Sequence, residues 1–125
     1  MTKYKLLVAE DDTVLRDLYL RKFDANLYDV RAAGNGQEAL DLLAQEKPDL
    51  LLLDINMPIL DGFGVLERLP AEERTFPIII LTNFDDQANH DRGKAYKVSD
   101  YFVKKDMTIK SLVDMVERLL KKPGA

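Results

Sequence analysis

The sequence predicts an α/β fold in which a five-stranded parallel sheet is covered by helices on both faces. Three observations predict it. Apolar patterning switches repeatedly between strand-like runs and helical spacing along the chain. Two runs, Leu50 to Leu53 and Ile78 to Leu81, are apolar throughout, as strands covered on both faces of a parallel sheet are. A length of 125 residues, 46% of them hydrophobic and 32% charged, suits one compact domain with a substantial core.

Leu6-Leu7-Val8-Ala9 reads as a buried strand ending in Glu10-Asp11-Asp12. Leu15, Leu18 and Tyr19 then recur at i, i+3, i+4 as one face of a helix. Tyr28, Val30 and Ala32 alternate with Asp29 and Arg31 as on an edge strand, and Gly34-Asn35-Gly36 leads into a second helix with Leu40, Leu43 and Ala44 inward. The third strand, Leu50 to Leu53, stops at Asp54. Pro58 and Gly62 punctuate the loop before a short helix with Phe63, Leu66 and Leu69 inward, and Pro77 opens the fourth strand, Ile78 to Thr82.

Residues 86 to 97 are polar with few apolar anchors, so the fourth helix expected there is the least firmly packed of the five. Tyr101-Phe102-Val103 is the fifth strand, and Ile109, Leu112, Val113, Val116 and Leu120 pattern the last helix. The single domain runs over residues 1–122, and residues 123–125 form a tail of breaker residues.

Composition excludes several classes of chemistry. With no cysteine, disulfides, thiolate metal sites and Cys nucleophiles are impossible, and one histidine, His90, cannot build a His-rich metal site. His90 itself reads as a solvent-exposed helix residue. A net charge of −4 lacks the positive field that binding a phosphate backbone needs, so no direct contact with nucleic acid is expected. The longest apolar runs fall far short of the ~20 residues that span a bilayer, and the first residues lack a signal-peptide core, so a cytoplasmic protein without membrane contact is expected.

Ligands of parallel sheets bind at the carboxyl ends of the strands, near the point where strand order reverses. The polar residues expected on that rim are Glu10, Asp11 and Asp12, Asp54 with Asn56, Thr82 with Asn83, and Lys104. Carboxylates brought together there repel unless protonated or bridged, and a hard divalent cation, Mg²⁺ above all, resolves the conflict. A cation, an ammonium and a hydroxyl around a carboxylate suit phosphoryl transfer to that carboxylate.

In "LLVAEDD", "LLLLDINMPILDG", "IIILT" and "DYFVKKD" the chain resembles the receiver domain of bacterial two-component response regulators, from Lys5 to Leu120. The resemblance implies a flavodoxin-like, doubly wound (βα)5 sandwich with strand order 2-1-3-4-5. It implies that Asp54 is the phosphoacceptor, charged by the phosphohistidine of a sensor histidine kinase or a phosphotransfer protein. Asp11 would bind Mg²⁺ directly, Glu10 through water, and Asn56 through its backbone carbonyl. In that family an Arg often follows the second acidic-pocket residue by five positions. Arg16 stands five after Asp11, which selects Glu10 and Asp11 as the pair and leaves Asp12 as a helix cap.

By the same likeness Thr82 is the hydroxyl that moves onto the phosphoryl oxygens, Lys104 the ammonium that holds them, and Tyr101 the aromatic that turns inward when Thr82 moves. The chain would then be a switch rather than an enzyme, catalysing only its own phosphorylation and slow dephosphorylation. The signal would be read on the surface of the fourth helix, fifth strand and fifth helix by an effector protein or a second copy. Arg92, Lys94 and Lys97 could there meet Asp100, Asp114 and Glu117 of that copy across a two-fold axis.

Taken singly, each residue has a plainer reading. Asp11 or Asp12 is a helix N-cap, Asp54 a solvated strand end, Thr82 a β-branched strand former, Lys104 a surface lysine, Tyr101 a core aromatic, and Asp61-Gly62 a turn. Joint occurrence at the ends of successive strands favours the functional reading. Three positions depart from the family pattern. Lys105 replaces a proline, so no cis peptide is expected after Lys104; Asn83 replaces a small residue; and Lys97-Val98 replaces Gly-Ala.

Overall fold

A computed structural model describes residues 3–83, 87–105 and 108–121. Strands and helices alternate as β1 (Tyr4–Ala9), α1 (Thr13–Lys22), β2 (Tyr28–Ala33), α2 (Gly36–Gln45), β3 (Leu50–Asp54), α3 (Gly62–Glu67), β4 (Ile78–Thr82), α4 (Gln87–Ala95), β5 (Asp100–Val103) and α5 (Ile109–Lys121). A 3-10 turn over Ala71–Glu73 lies between α3 and β4. The five strands pair in parallel in the order β2-β1-β3-β4-β5, so strand order reverses beside β1 and β3. The fold class and strand order expected from the sequence are those observed.

Side chains alternate across each strand, and this period divides the core in two. Leu6, Val8, Leu50, Leu52, Ile79, Leu81 and Phe102 point to the face covered by α1 and α5, where Tyr19, Phe23, Leu112, Met115 and Val116 close over them. Leu7, Ala9, Leu51, Leu53, Ile78 and Ile80 point the other way, against Ala39 and Leu43 of α2 and Phe63, Val65 and Leu66 of α3. The central strand β3 is buried along its whole length.

Helix starts follow local chemistry. The Asp12 carboxylate accepts from the backbone N–H of Val14 (2.9 Å) and Leu15 (3.2 Å), Asn35 accepts from Glu38 (2.8 Å), and Asp61 accepts from Gly64 (2.8 Å). One inward assignment is corrected. Ala44 is exposed, because the buried line of α2 runs Gly36, Ala39, Leu43, and the next residue lies ~100° further round the helix.

The weakly anchored fourth helix forms as α4, shorter than the expected 86–97 at its C-terminal end; residue 86 and the tail 123–125 lie outside the described residues. Gly93 is its one buried residue. It ends in a hydrogen-bonded C-cap in which the Lys97 N–H donates to Lys94 (3.0 Å) and the Val98 N–H to Gly93 (3.2 Å). Lys97 occupies the left-handed position of that cap at φ 58°. No cis peptide bond occurs among the described residues, as expected at Lys104-Lys105. No described helix is long and apolar enough to cross a membrane.

Candidate functional site

Strand register builds the site. Ala9 pairs with Leu53 and Asp54 with Leu81, so Glu10, one residue past β1, lies level with Asp54 at the carboxyl end of β3. Thr82 pairs with Val103, which puts Lys104 just beyond the end of β5 on the same rim. By alternation Glu10, Asp54 and Lys104 share the parity of Val8, Leu52 and Phe102, and therefore the α1/α5 face. Thr82 and Tyr101 share the parity of Ile80 and Val103 and belong to the opposite face. The charged trio and the hydroxyl–tyrosine pair thus meet at one rim from two sides of the sheet.

The trio is in contact. The Lys104 ammonium donates to Glu10 Oε1 at 2.6 Å and to Asp54 Oδ2 at 3.0 Å, and all three side chains are nearly out of solvent. The second oxygen of Asp54 accepts from the Asn56 N–H at 3.0 Å, and the second oxygen of Glu10 accepts from the Asp12 N–H at 3.2 Å. Asp11 is exposed beside them, and one carboxylate oxygen from each of Glu10, Asp11 and Asp54 lies within 4.8 Å of the others. Three hard oxygen donors so close, two of them buried, match the donor set a small divalent cation takes.

One lysine does not balance two buried carboxylates. Burial, followed by the hydrogen bond to Asp54, pushes Glu10 up to about 8 against the opposing pull of Lys104. For Lys104, burial works downward, but the hydrogen bond to Glu10 and the charges of Asp54 and Glu10 outweigh it and leave the ammonium raised. The lysine therefore stays charged while Glu10 tends to keep a proton.

Thr82 is fully buried at the end of β4, and its carbonyl accepts from the Lys104 N–H at 2.7 Å. Tyr101 lies under α4 with its hydroxyl already buried, so its ring occupies an inward position in this structure. His90 corrects the sequence reading. Rather than facing solvent it is half-buried and stacked on Tyr101, with ring centroids 4.1 Å apart and planes at 15°. Asn83 is exposed just past Thr82.

Several contributors were not singled out from sequence. Gly62 is needed for a close approach: its N–H donates to Ile55 O at 2.8 Å, and a Cβ there would collide with the Asp54 carbonyl. Asp61-Gly62, read as a turn, is both the cap of α3 and the closure of the loop carrying Asp54. Arg16, noted only for its spacing, donates to the Glu10 carbonyl at 3.1 Å, and a side chain at Gly34 would crowd that guanidinium. Ile59 stands 81% exposed at φ 70°, the centre of a tight turn closed by the Leu60 N–H on Pro58 O at 2.7 Å.

A doubly wound parallel sheet with buried Asp, Glu and Lys on its carboxyl rim defines the receiver class of signalling domain. The chain belongs to the response regulator receiver domain family, whose profile matches residues 6–117. It is 38% identical over 104 residues to the probable transcriptional regulator ycf27 of Porphyridium aerugineum, a match covering 83% of this chain and 43% of that protein. It is 34% identical over 118 residues to response regulator MprA of Mycobacterium tuberculosis, covering 94% of this chain and 51% of that one. The chain thus spans about half the length of the curated relatives it matches. Among solved structures it superposes on the receiver domain of the Francisella response regulator 1452 with TM-score 0.87 and 33% identity, over 96% of this chain and 98% of that one. Against the chemotaxis protein CheY4 of Vibrio cholerae the TM-score is 0.85 at 26% identity, over 95% and 100%.

Proposed function

We propose that Asp54 accepts a phosphoryl group from the phosphohistidine of a sensor histidine kinase or phosphotransfer protein, and that the α4-β5-α5 surface reports it to an effector protein or a second copy of the chain. The observation that carries this reading is the Lys104 ammonium bridging Glu10 and Asp54 at the strand ends. An Asp54 oxygen attacks phosphorus while the phosphorus–nitrogen bond breaks, and that bond's electron pair stays with the imidazole nitrogen. No general base is needed, because the nucleophile is a carboxylate.

Glu10, Asp11 and Asp54, with the Asn56 carbonyl, are the residues that would hold Mg²⁺. The ion would supply positive charge against the phosphoryl oxygens. Lys104 would transfer its hydrogen bonds from the carboxylates to the incoming oxygens, and the Thr82 hydroxyl would donate to another. The Asn56 N–H keeps Asp54 oriented throughout. The movement of Thr82 and the packing of Tyr101 would carry the change to α4, the least anchored helix. The two longer relatives are named as a response regulator and a transcriptional regulator, which supports a role in signal-dependent gene control for a protein containing this domain. A cytoplasmic location fits that role.

The test is intact mass after incubation with acetyl phosphate and Mg²⁺. One phosphoryl adduct, labile to hydroxylamine and absent from Asp54→Ala, is expected. Equal modification of Asp54→Ala would overturn the assignment.

A further inference from the structure

Helix α4 reads Gln-Ala-Asn-His-Asp-Arg-Gly-Lys-Ala and offers no apolar side chain larger than alanine to the sheet beneath it. His90 and Gly93 are spaced i, i+3 and so share its underside. The imidazole lies face to face with the Tyr101 ring at 4.1 Å. One turn on, Gly93 leaves the room this requires: a Cβ there would stand 3.1 Å from Tyr101 Cε2 and 3.4 Å from Ile80 Cδ1. Histidine and glycine together form a slot that the tyrosine ring fills. Arg92 of α4 stacks 3.8 Å over the Phe63 ring, and just past the helix end the tilted Tyr96–Phe63 pair ties the following turn to α3.

We propose that His90 is a positioning residue for Tyr101, holding the tyrosine inward and thereby setting how readily the Asp54 site reaches its phosphoryl-bound arrangement. The coupling to Asp54 rests on the phosphoacceptor reading, since it runs through Thr82. On that reading the inward tyrosine accompanies a phosphoryl group, so the stack raises the fraction of molecules already competent to bind one. Apparent affinity scales with that fraction.

The test uses the full chain labelled with 3-fluorotyrosine and titrated with beryllofluoride in Mg²⁺, the Tyr101 fluorine resonance being assigned with Tyr101→Phe. His90→Ala should move the Tyr101 resonance and raise the half-saturating beryllofluoride concentration about three- to tenfold, the equilibrium worth of one aromatic stack. His90→Phe, which keeps a flat ring, should stay within about twofold of the parent, a rescue that a purely structural role of the imidazole would not give. In a Tyr101→Ala background His90→Ala should change nothing further. An unmoved Tyr101 resonance with unchanged affinity in His90→Ala overturns the proposal, as does an equal loss in the Tyr101→Ala background. Failure of the parent chain to bind beryllofluoride at all would instead overturn the phosphoacceptor reading, and the coupling with it.

Discussion

Lys104 Nζ lies 2.6 Å from Glu10 Oε1, closer than to Asp54 Oδ2 at 3.0 Å, so the lysine is held chiefly by Glu10 and less by the proposed acceptor. A cation taking Glu10 as ligand would free the lysine for a new anion. On the proposed reading, metal and phosphoryl group would thereby be linked through one side chain.

Removing that side chain strands two buried carboxylates. Lys104→Gln should destabilise the metal-free domain by about 3 kcal/mol, the low end for breaking a buried ion pair, because Glu10 can take up a proton in compensation. Urea unfolding with and without Mg²⁺ checks this. The loss should shrink when the ion is added, and an equal loss in both conditions would mean that the ion and the lysine do not share Glu10.

The raised Glu10 fixes the direction of the pH dependence. A carboxyl whose folded value is raised binds its proton more tightly in the folded state, so stability is greatest where Glu10 is protonated. In chelator, the free energy of unfolding should fall as pH rises from about 4.5, the unfolded value, to about 8, by no more than about 1.4 kcal/mol per pH unit for one proton. Glu10→Gln should flatten that slope. Unchanged pH dependence in this variant would assign the proton elsewhere.

Asp11 is the exposed member of the oxygen cluster and contributes little to the metal-free fold, which separates its two possible roles. Mg²⁺ at one hundred times its dissociation constant should stabilise the parent by about 2.7 kcal/mol. Asp11→Asn should unfold like the parent in chelator but lose most of that gain. A full gain in the variant would remove Asp11 from the ligand set.

At the end of α4, Lys97 holds a left-handed conformation that costs a side-chain-bearing residue about 1–2 kcal/mol. Lys97→Gly removes that cost but adds about 0.4–1 kcal/mol of unfolded-state entropy. A net gain of about 0.5–1 kcal/mol is expected, read as a rise of roughly 2–4 °C in the melting temperature. A fall would mean that the cap tightens through contacts of the lysine stem.

Much of this was legible in the sequence, for physical reasons that differ by element. The unbroken apolar runs of β3 and β4 announce strands buried on both faces, and a rim residue following each strand is fixed once the strands are in parallel register. Glu10, Asp54, Thr82 and Lys104 were therefore placed on one rim by counting alone. The Lys104–Glu10 pairing joins residues 94 apart, and no local pattern specifies which of the neighbouring acids the ammonium prefers. His90 was misread because periodicity rules score a histidine in a polar helix as surface. Its burial is set by a ring on another element and by the bare Cα of Gly93.

The close approach of Gly62 to the Asp54 carbonyl has a consequence for how much variation the loop tolerates. Positions 62 and 59 both restrict the side chain they can carry, for unrelated reasons. At 62 there is no volume for a single methyl group, while at 59 there is open solvent and only the backbone angle objects. In a library randomised at both positions and selected for phosphorylation, position 62 should return glycine almost alone. Position 59 should return a graded set, with glycine, asparagine and aspartate above the β-branched residues. The loop thus contains one position where substitution is forbidden and one where it is merely taxed, three residues apart, and the resident isoleucine is already among the least suited to its own backbone.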